Sequence, residues 1–451
     1  MSDRSADTIA AVATPAGRGA VGILRLSGTA AFAIAERLCG SRPAPRRAAL
    51  REFRDATGAV LDRGLVLCFP GPQSYTGEDV VELQAHGGPV VLDLLLRAAC
   101  GLGARFARPG EFSERAFLND RIDLAQAEAV ADLIDAGSRA AVLAASRSLE
   151  GEFSRRVNLL AEALLDLRVF VEGALDFSDE DVDWLSDAAL TDQLGAAERD
   201  LDLLLREAAQ GRRLREGLVI AIAGRPNVGK STLLNRLAGT EAAIVSEIPG
   251  TTRDLLREHL VIDGLPLTVI DTAGLRETQD PVEAEGIRRA WRALEQAELA
   301  LFVADDRTGL TGEDQALLDQ LPGAANRLVL LNKCDLSLRA PGLAEVPGCA
   351  ALRISAATGA GFDALRTAIR EAAGLGEHTE TLFSARTRHV DALHRTRKHL
   401  ALARRQLEQR VGAELAAEEL RMAHEALGEI SGRVTTEDLL GAVFSRFCIG
   451  K

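Results

Sequence analysis

The chain has 451 residues, 47% of them hydrophobic, which is enough for about three packed domains. Its formal net charge of −13 excludes a protein that coats nucleic acid non-specifically, because that affinity rests on many phosphate contacts; a selective RNA contact stays open. The six cysteines show no C-x-x-C pair or zinc spacing, and no basic leader or apolar run near roughly 20 residues is present, so the expectation is a cytoplasmic protein without disulfides, structural zinc or a membrane span.

Short β-rich runs at 8–13, 22–26, 64–69 and 80–85 alternate with apolar-periodic helices near 30–38 and 90–100, which predicts an N-terminal α+β domain over residues 1–120. Residues 121–216 then show long helical periodicity, broken mainly around 176–183, where the stretch 172–183 is strongly acidic. The same helical character returns at 389–444. Residues 386–410 carry eight Lys/Arg against two Asp/Glu, a solvated helix face first and an RNA or partner patch second. The helical stretches, 121–216 and 376–451, therefore read as two halves of one discontinuous domain with residues 217–375 inserted between them. Within the insert, strands alternate with helices as a mostly parallel sheet requires; 339–350 reads as a loop before a strand at 351–354, and 374–381 as the exit linker.

The insert carries the chemistry. Gly224-Arg225-Pro226-Asn227-Val228-Gly229-Lys230-Ser231 fits G-x-x-x-x-G-K-[ST] and lies between an apolar strand run, 218–223, and a helix start that includes Thr232. The glycines let backbone N–H groups face phosphates, Lys230 adds a point charge, and the Ser231 hydroxyl is placed to ligate Mg²⁺. Asp271-Thr272-Ala273-Gly274 follows the apolar run 267–270, placing Asp271 near the Mg²⁺ shell and the Gly274 N–H where it senses a γ-phosphate. Asn332-Lys333-Cys334-Asp335 follows the run 328–331. The Asp335 carboxylate accepts from both N1–H and N2–H of guanine, a pattern adenine does not offer, and Ser355-Ala356-Ala357 backs the base. This order specifies GTP. The expected fold class is multidomain α/β plus α: the N-terminal α+β domain, the discontinuous helical domain and an inserted Ras-like P-loop GTPase domain.

Leu275 stands where Ras-like enzymes carry the water-orienting glutamine. Glu277, Asp280, Glu283 and Glu285 follow it, and any of these carboxylates, brought close by a conformational change, can position water. Charge developing between the β- and γ-phosphates needs a cation. A monovalent ion held by the Asn227 side chain and by carbonyls of Ser246-Glu247-Ile248-Pro249-Gly250-Thr251-Thr252 is one solution; Arg253 or Arg276 as a finger is the other. Thr251 and Thr252 are the natural Mg²⁺-sensing hydroxyls of the first switch.

Gly250-Thr251-Thr252-Arg253-Asp254 with Gly224-Arg225-Pro226-Asn227 resembles the TrmE–Era–EngA group of bacterial GTPases. Thr14-Pro15-Ala16-Gly17-Arg18-Gly19, Gly77-Glu78-Asp79-Val80-Val81-Glu82, Arg108-Pro109-Gly110-Glu111-Phe112-Ser113 and Phe447-Cys448-Ile449-Gly450-Lys451 look like the MnmE (TrmE) family, so the resemblance spans nearly the whole chain. It implies a homodimeric enzyme that modifies the tRNA wobble uridine, adding a carboxymethylaminomethyl-type group at C5 together with an MnmG-type partner that carries the FAD. It also implies a K⁺ ion at Asn227, Ser246, Ile248 and Thr251, Mg²⁺ at Ser231 and Thr252, and Glu283 as the water-positioning catalytic residue. The N-terminal domain is implied to bind a tetrahydrofolate one-carbon derivative through Arg25, Glu82, Arg121 and Lys451. Arg25 and Arg121 suit the donor's carboxylates, and Glu82 suits the pterin amino groups. Arg121 replaces the lysine of some relatives, which keeps the charge and changes the hydrogen-bond geometry.

Cys448-Ile449-Gly450-Lys451 superficially fits a prenylation box, but Gly450 is not aliphatic and lysine is a poor terminal specifier; Cys448 stands as a candidate tail thiol, with plain packing as its alternative. A ribosome-assembly GTPase switch is the rival function. It is expected to carry a basic RNA-binding module or a second G domain, and this sequence has a single phosphate loop and a helical C-terminal part. A membrane-associated scaffold GTPase finds no spanning or anchoring segment.

Overall fold

The structure, a computed structural model, describes residues 7–176, 188–239, 257–271, 297–320, 326–375, 383–409, 412–434 and 436–450. Its contacts group the chain into two compact units, Met1–Ala131 with His424–Lys451, and Asp132–Ala423.

The first unit is built on a six-stranded sheet of order β3-β4-β5-β2-β1-β6. The strands are β1 (Thr8–Val12), β2 (Gly19–Ser27), β3 (Ala49–Arg54), β4 (Val60–Phe69), β5 (Val80–Gly87) and β6 (Ala104–Phe106). Alternation along them sends Leu24, Leu26, Phe53, Val66, Val81 and Leu83 to one face. There they pack on Ile34 and Leu38 of α1 (Ala31–Cys39) and on Leu92 and Leu95 of α2 (Pro89–Gly101). The opposite face carries Arg25, Leu50, Leu65, Glu82 and Gln84, in register across β2, β5, β4 and β3. Strands β3 and β6 went unread in the sequence. In β3, Ala-Leu-Arg-Glu-Phe-Arg, Phe53 is the one fully buried residue, so an edge strand with three charges leaves almost no period-2 signal. α3 (Glu111–Leu118) and the C-terminal helix Glu437–Phe444 close this unit through Phe117, Leu124, Phe444 and Phe447.

The second unit holds the helices α5 (Arg139–Leu149), α6 (Glu152–Asp176), α7 (Ala188–Glu216) and Thr387–Gln409 together with a seven-stranded sheet. α4 (Leu124–Asp135) and the helix Ala413–Ser431 run across the unit boundary. The sheet order is β12-β13-β11-β10-β7-β9-β8, from β7 (Leu218–Ala223), β8 (Arg257–Ile262), β9 (Leu265–Asp271), β10 (Leu299–Asp305), β11 (Asn326–Asn332), β12 (Gly342–Val346) and β13 (Cys349–Arg353). Five central strands are parallel, and antiparallel β8 and β12 form the edges. Every residue of β10 is buried, as a parallel strand covered on both faces demands. The loop expected at 339–350 is a correction. Here β12 pairs with β13 from Gly342↔Arg353 to Val346↔Cys349, leaving Pro347-Gly348 as the turn. Prolines and glycines that suggested one long loop mark only the two ends of a short edge strand.

Inside this unit, buried Asp132 accepts from Arg215 Nε at 2.6 Å, Arg386 Nη2 at 2.7 Å and Ser384 Oγ at 2.7 Å, tying α4, α7 and the segment before Thr387 together. No described helix is long and apolar enough to cross a membrane.

Candidate functional site

The phosphate loop leaves β7 and ends in α8 (Lys230–Gly239), so its N–H groups and the helix N-terminus converge at the carboxyl ends of the parallel strands, where ligands of open α/β sheets bind. Gly229 sits at φ +105°, and a β-carbon there would lie 2.3 Å from Nδ2 of Asn332; only glycine fits. Asn227 also takes a left-handed conformation, at φ +64°. Lys230 Nζ donates to the carbonyls of Gly224 at 2.7 Å and Arg225 at 2.9 Å, curled over its own loop. Ser231 and Thr232 lie exposed in the first turn of α8.

The loop after β11 grips this cradle. Asn332, 2% exposed, donates from Nδ2 to the Val228 carbonyl at 2.7 Å and accepts at Oδ1 from the Ala356 N–H at 2.9 Å. One side chain thereby fixes the phosphate loop to the Ser355-Ala356-Ala357 loop. Lys333 Nζ donates to the Asn227 carbonyl at 2.7 Å and to Asp305 at 2.9 Å. Asp305 ends β10, and hydrogen bonds from Arg307, with Lys333 adding to them against the cost of burial, hold its carboxyl well below the usual carboxylate range.

Asp335 is the exception among these satisfied groups. It lies in the first turn of the short helix Cys334–Ser337, and its Oδ1 is buried with no hydrogen-bond partner among the described residues. A buried carboxylate oxygen left unpaired costs more than a hydrogen bond gains, so its place is explained by a donor that arrives with a ligand. A group presenting two adjacent N–H donors, as the N1/N2 edge of guanine does, fits that oxygen and its neighbour.

The structure thus brings together Asn227, Val228, Gly229, Lys230, Ser231, Thr232, Asn332, Lys333, Asp335, Ser355, Ala356 and Ala357. Asp271 closes β9, with its side chain outside the described residues. Also outside them lie Ser246, Glu247, Ile248, Pro249, Gly250, Thr251, Thr252, Arg253, Thr272, Ala273, Gly274, Leu275, Arg276, Glu277, Asp280, Glu283, Glu285 and Lys451. Two residues escaped the sequence reading. Arg225 of the phosphate loop bonds Asp314 at 2.8 Å and Glu313 at 3.1 Å in the helix Gly312–Gln320. Arg236 of α8 donates to the carbonyls of Ala356 and Ala357. Arg225 fills an unspecified position of the phosphate-loop pattern and Arg236 lies beyond it, and each acts on partners about 90 or more residues away. Asp305 carried a usable signal, its place at the end of a parallel strand.

In the first unit, Arg25 on β2 and Glu82 on β5 are register partners and form an ion pair of 2.9 Å. The Arg25 guanidinium lies 5.6 Å from the Tyr75 ring centre and 5.7 Å from that of Phe112, and its Nη1 donates to the Gly450 carbonyl at 3.4 Å. The two charges therefore sit together as one pair on the sheet face. The aliphatic stem of Arg121 lies beside Gly77. Cys448 is exposed, and its carbonyl accepts from the Gly110 N–H at 3.4 Å while Ile449 bridges to Pro109.

Residues 8–121 match the family described as the GTP-binding protein TrmE N-terminus, and residues 124–448 match the MnmE helical domain. The chain is 53% identical over 450 residues to the tRNA modification GTPase MnmE of Pectobacterium carotovorum subsp. carotovorum (strain PC1), covering 99% of each chain. Among solved structures it is similar to an Aquifex aeolicus Era variant bound to GDP and AlF4⁻, at 27% identity over 41% of this chain and 67% of that one, with a TM-score of 0.27. It is also similar to the G domain of the T. maritima FeoB iron transporter, at 24% identity over 35% of this chain and 98% of that one, with a TM-score of 0.26.

Proposed function

The chain belongs to the MnmE (TrmE) family of tRNA modification GTPases, and from that premise we propose that it uses a K⁺-stimulated cycle of GTP hydrolysis to modify the wobble uridine of tRNA with an MnmG-type FAD protein. The observation that carries the nucleotide reading is the unpaired, buried Oδ1 of Asp335 beside the Asn332 clamp. Lys230 exchanges its loop carbonyls for β- and γ-phosphate oxygens, while Asn332 and Lys333 keep the cradle in shape. Mg²⁺, held by Ser231 and Thr252 with Asp271 behind them, would screen the phosphate charge. K⁺, held by Asn227, Ser246, Ile248 and Thr251, would supply the positive charge that an arginine finger brings elsewhere. Glu283 orients the attacking water in place of the glutamine that Leu275 replaces.

The covalent chemistry belongs to the first unit in this reading. On the sheet face they share, Arg25 and Glu82, with Tyr75 beside them and Arg121 and Lys451 adding charge, would hold a tetrahydrofolate one-carbon derivative, which would supply the carbon unit when bound. The addition at uridine C5, of the carboxymethylaminomethyl type, is completed with the partner. The homodimer reading is supported by the same face. Its cross-strand pair Leu50 and Leu65 is 51% and 38% exposed, an apolar surface that a second copy would cover. The domain division proposed is that of the sequence: 1–120, then helical halves 121–216 and 376–451 around a GTPase domain at 217–375.

Steady-state GTP hydrolysis in K⁺ and in Na⁺ at matched ionic strength, for the wild type and Asn227→Ala, tests the cycle. The expected result is K⁺ stimulation of wild type and its loss in the variant. Equal rates in both salts would move the charge-neutralising role to Arg253 or Arg276.

A further inference from the structure

The helix Thr387–Gln409 buries Leu393, Thr396, Leu400 and Ala403, so its 3.6-residue repeat sends His394, Lys398 and Arg405 to the opposite face. Those three span about 16 Å along the helix. Its flank meets α7, where Arg404 pairs with Glu198 and Arg397 Nη1 stands 3.9 Å from Asp202, with the Arg397 and Asp202 side chains both more than half exposed. Around that loose pair, Asp202, Leu205, Arg206 and Ala209 of α7 and His394 and Arg397 of the second helix line an open groove of about 370 Å³. The side chains of Arg206, Lys398 and Arg405 are exposed and have no ion-pair or hydrogen-bond partner among the described residues. Arg397 Nη2 donates to His394 Nδ1 at 3.3 Å, and because a guanidinium only donates, the ring keeps its proton on Nε2 as one more donor. Against these stand Asp202 in the groove and, on the helix face, Asp391 and Glu408, the latter taken by Arg404 at 3.0 Å. The surplus is positive in a chain whose formal net charge is −13.

We propose that this groove and the face beside it form a contact surface for the sugar–phosphate backbone of tRNA. Arg206 and Arg397 share one phosphate in the groove, with the His394 Nε2–H beside them, and Lys398 and Arg405 follow the strand along the helix. The inference rests on the tRNA reading above and adds to it the place on the chain where the RNA lies. Exposed, unpaired cations add little to the fold, and the Arg397–Asp202 pair opens at little cost, whereas each cation that meets a phosphate releases counterions and gains affinity. Neither the groove lining nor the helix Thr387–Gln409 carries Phe, Tyr, Trp or an exposed large apolar side chain. The surface therefore has no platform for stacking a base and no anchor for a protein hot spot; it positions the RNA and leaves base reading to other residues.

Binding of a tRNA with an unmodified wobble uridine is measured across a salt series for the full-length chain, for the double variant Arg206→Gln with Arg397→Gln, and for Lys398→Gln. Loss of two phosphate contacts predicts about tenfold weaker binding at 0.15 M salt and a slope of log K against log salt that is smaller by about 1.5. Lys398→Gln alone is expected to cost about threefold, and it carries the test where the double variant does not fold. Arg206→Lys with Arg397→Lys, which keeps both charges, is expected to restore most of the affinity. GTP hydrolysis without tRNA is expected to stay unchanged in all of them. The control is Arg37→Gln with Arg47→Gln, two exposed arginines of the first unit that are equally unpaired among the described residues. An equal loss in that control would reduce the effect to total charge and overturn the surface, as would an unchanged salt slope in the groove variants. Normal tRNA binding with lost capture of the flavoprotein partner would overturn the RNA assignment in favour of a protein. If wild type itself bound no tRNA, the tRNA reading would fall first and take this surface with it, an outcome distinct from a failure confined to the variants.

Discussion

The two sheets of this chain treat buried charge in opposite ways. On the N-terminal sheet and the helix beside it, carboxylates are claimed by arginines: Arg115, with its side chain 8% exposed, reaches Asp7 at 2.6 Å, Glu78 at 3.0 Å and Glu111 at 3.3 Å, and Arg25 takes Glu82. At the nucleotide site, Asp305 and Asn332 are equally satisfied, yet Asp335 keeps one buried oxygen with no partner among the described residues. A paired charge stabilises the fold and offers a ligand little unless the pair opens. An unpaired one destabilises the empty protein and supplies binding energy when the ligand arrives. The comparison therefore separates charges that hold the structure from the one that waits.

Removing the waiting charge gives the largest effect. Asp335→Asn gives up two charge-assisted hydrogen bonds to the guanine edge at about 1.5–3 kcal/mol each, so GTP affinity is expected to fall by roughly 10² to 10⁴. The amide donates where the carboxylate accepted, which favours the C2 carbonyl of xanthine. Nucleotide titrations with GTP and XTP check this, and an unchanged GTP affinity would remove Asp335 from base recognition.

The paired network predicts a pH effect in the other sheet's unit. Burial opposes ionisation of Glu111, but the Arg105 guanidinium, the Arg108 N–H and the charges of both outweigh it and hold the carboxyl at about 2, against an ordinary 4.5. The folded state thus binds fewer protons than the unfolded chain between those values. The stabilisation is complete above pH 4.5 and lost as pH falls toward 2. At about 1.4 kcal/mol per pH unit, that is about 3 kcal/mol. Amide exchange within α3 is expected to speed up through this window in wild type, and the gap between wild type and Glu111→Gln to close. A gap that stays constant from pH 6 to pH 3 would assign the network no such role.

How much of this was legible depends on whether partners are neighbours in sequence. The phosphate loop, Asn332-Lys333-Cys334-Asp335 and Ser355-Ala356-Ala357 are contiguous because each is one loop at the end of one strand, and the α/β alternation around them announces the sheet. Arg25 and Glu82 lie 57 residues apart, and residue chemistry alone set them at different ends of a ligand; the β2–β5 register shows them as one pair. Arg236 bonds to main-chain carbonyls, which no side-chain pattern records. Strand β12 was hidden by its own edge position: none of its five residues is buried, and Pro341 precedes it while Pro347-Gly348 follows it.

The smallest expected effect comes from a neutral contact that belongs to neither class of charge. Ser138 caps α5 by accepting the Ala141 N–H at 3.2 Å, and its hydroxyl donates to the Gly264 carbonyl at 2.6 Å in the turn between β8 and β9. It therefore joins a helix of the second unit to the edge of the nucleotide sheet. With no charge involved, Ser138→Ala is expected to cost about 1 kcal/mol, the ordinary value of a lost cap. Ser138→Asn retains an acceptor for the cap without the short hydroxyl bond to Gly264, so comparing the two divides the loss between helix and turn. Faster amide exchange in α5 for the alanine variant only, together with faster exchange around Gly264 for both variants, is the expected pattern. GTP affinity is expected to stay unchanged. A large loss of nucleotide binding would mean that this edge contact reaches the site, and that the division between structural and waiting groups is drawn in the wrong place.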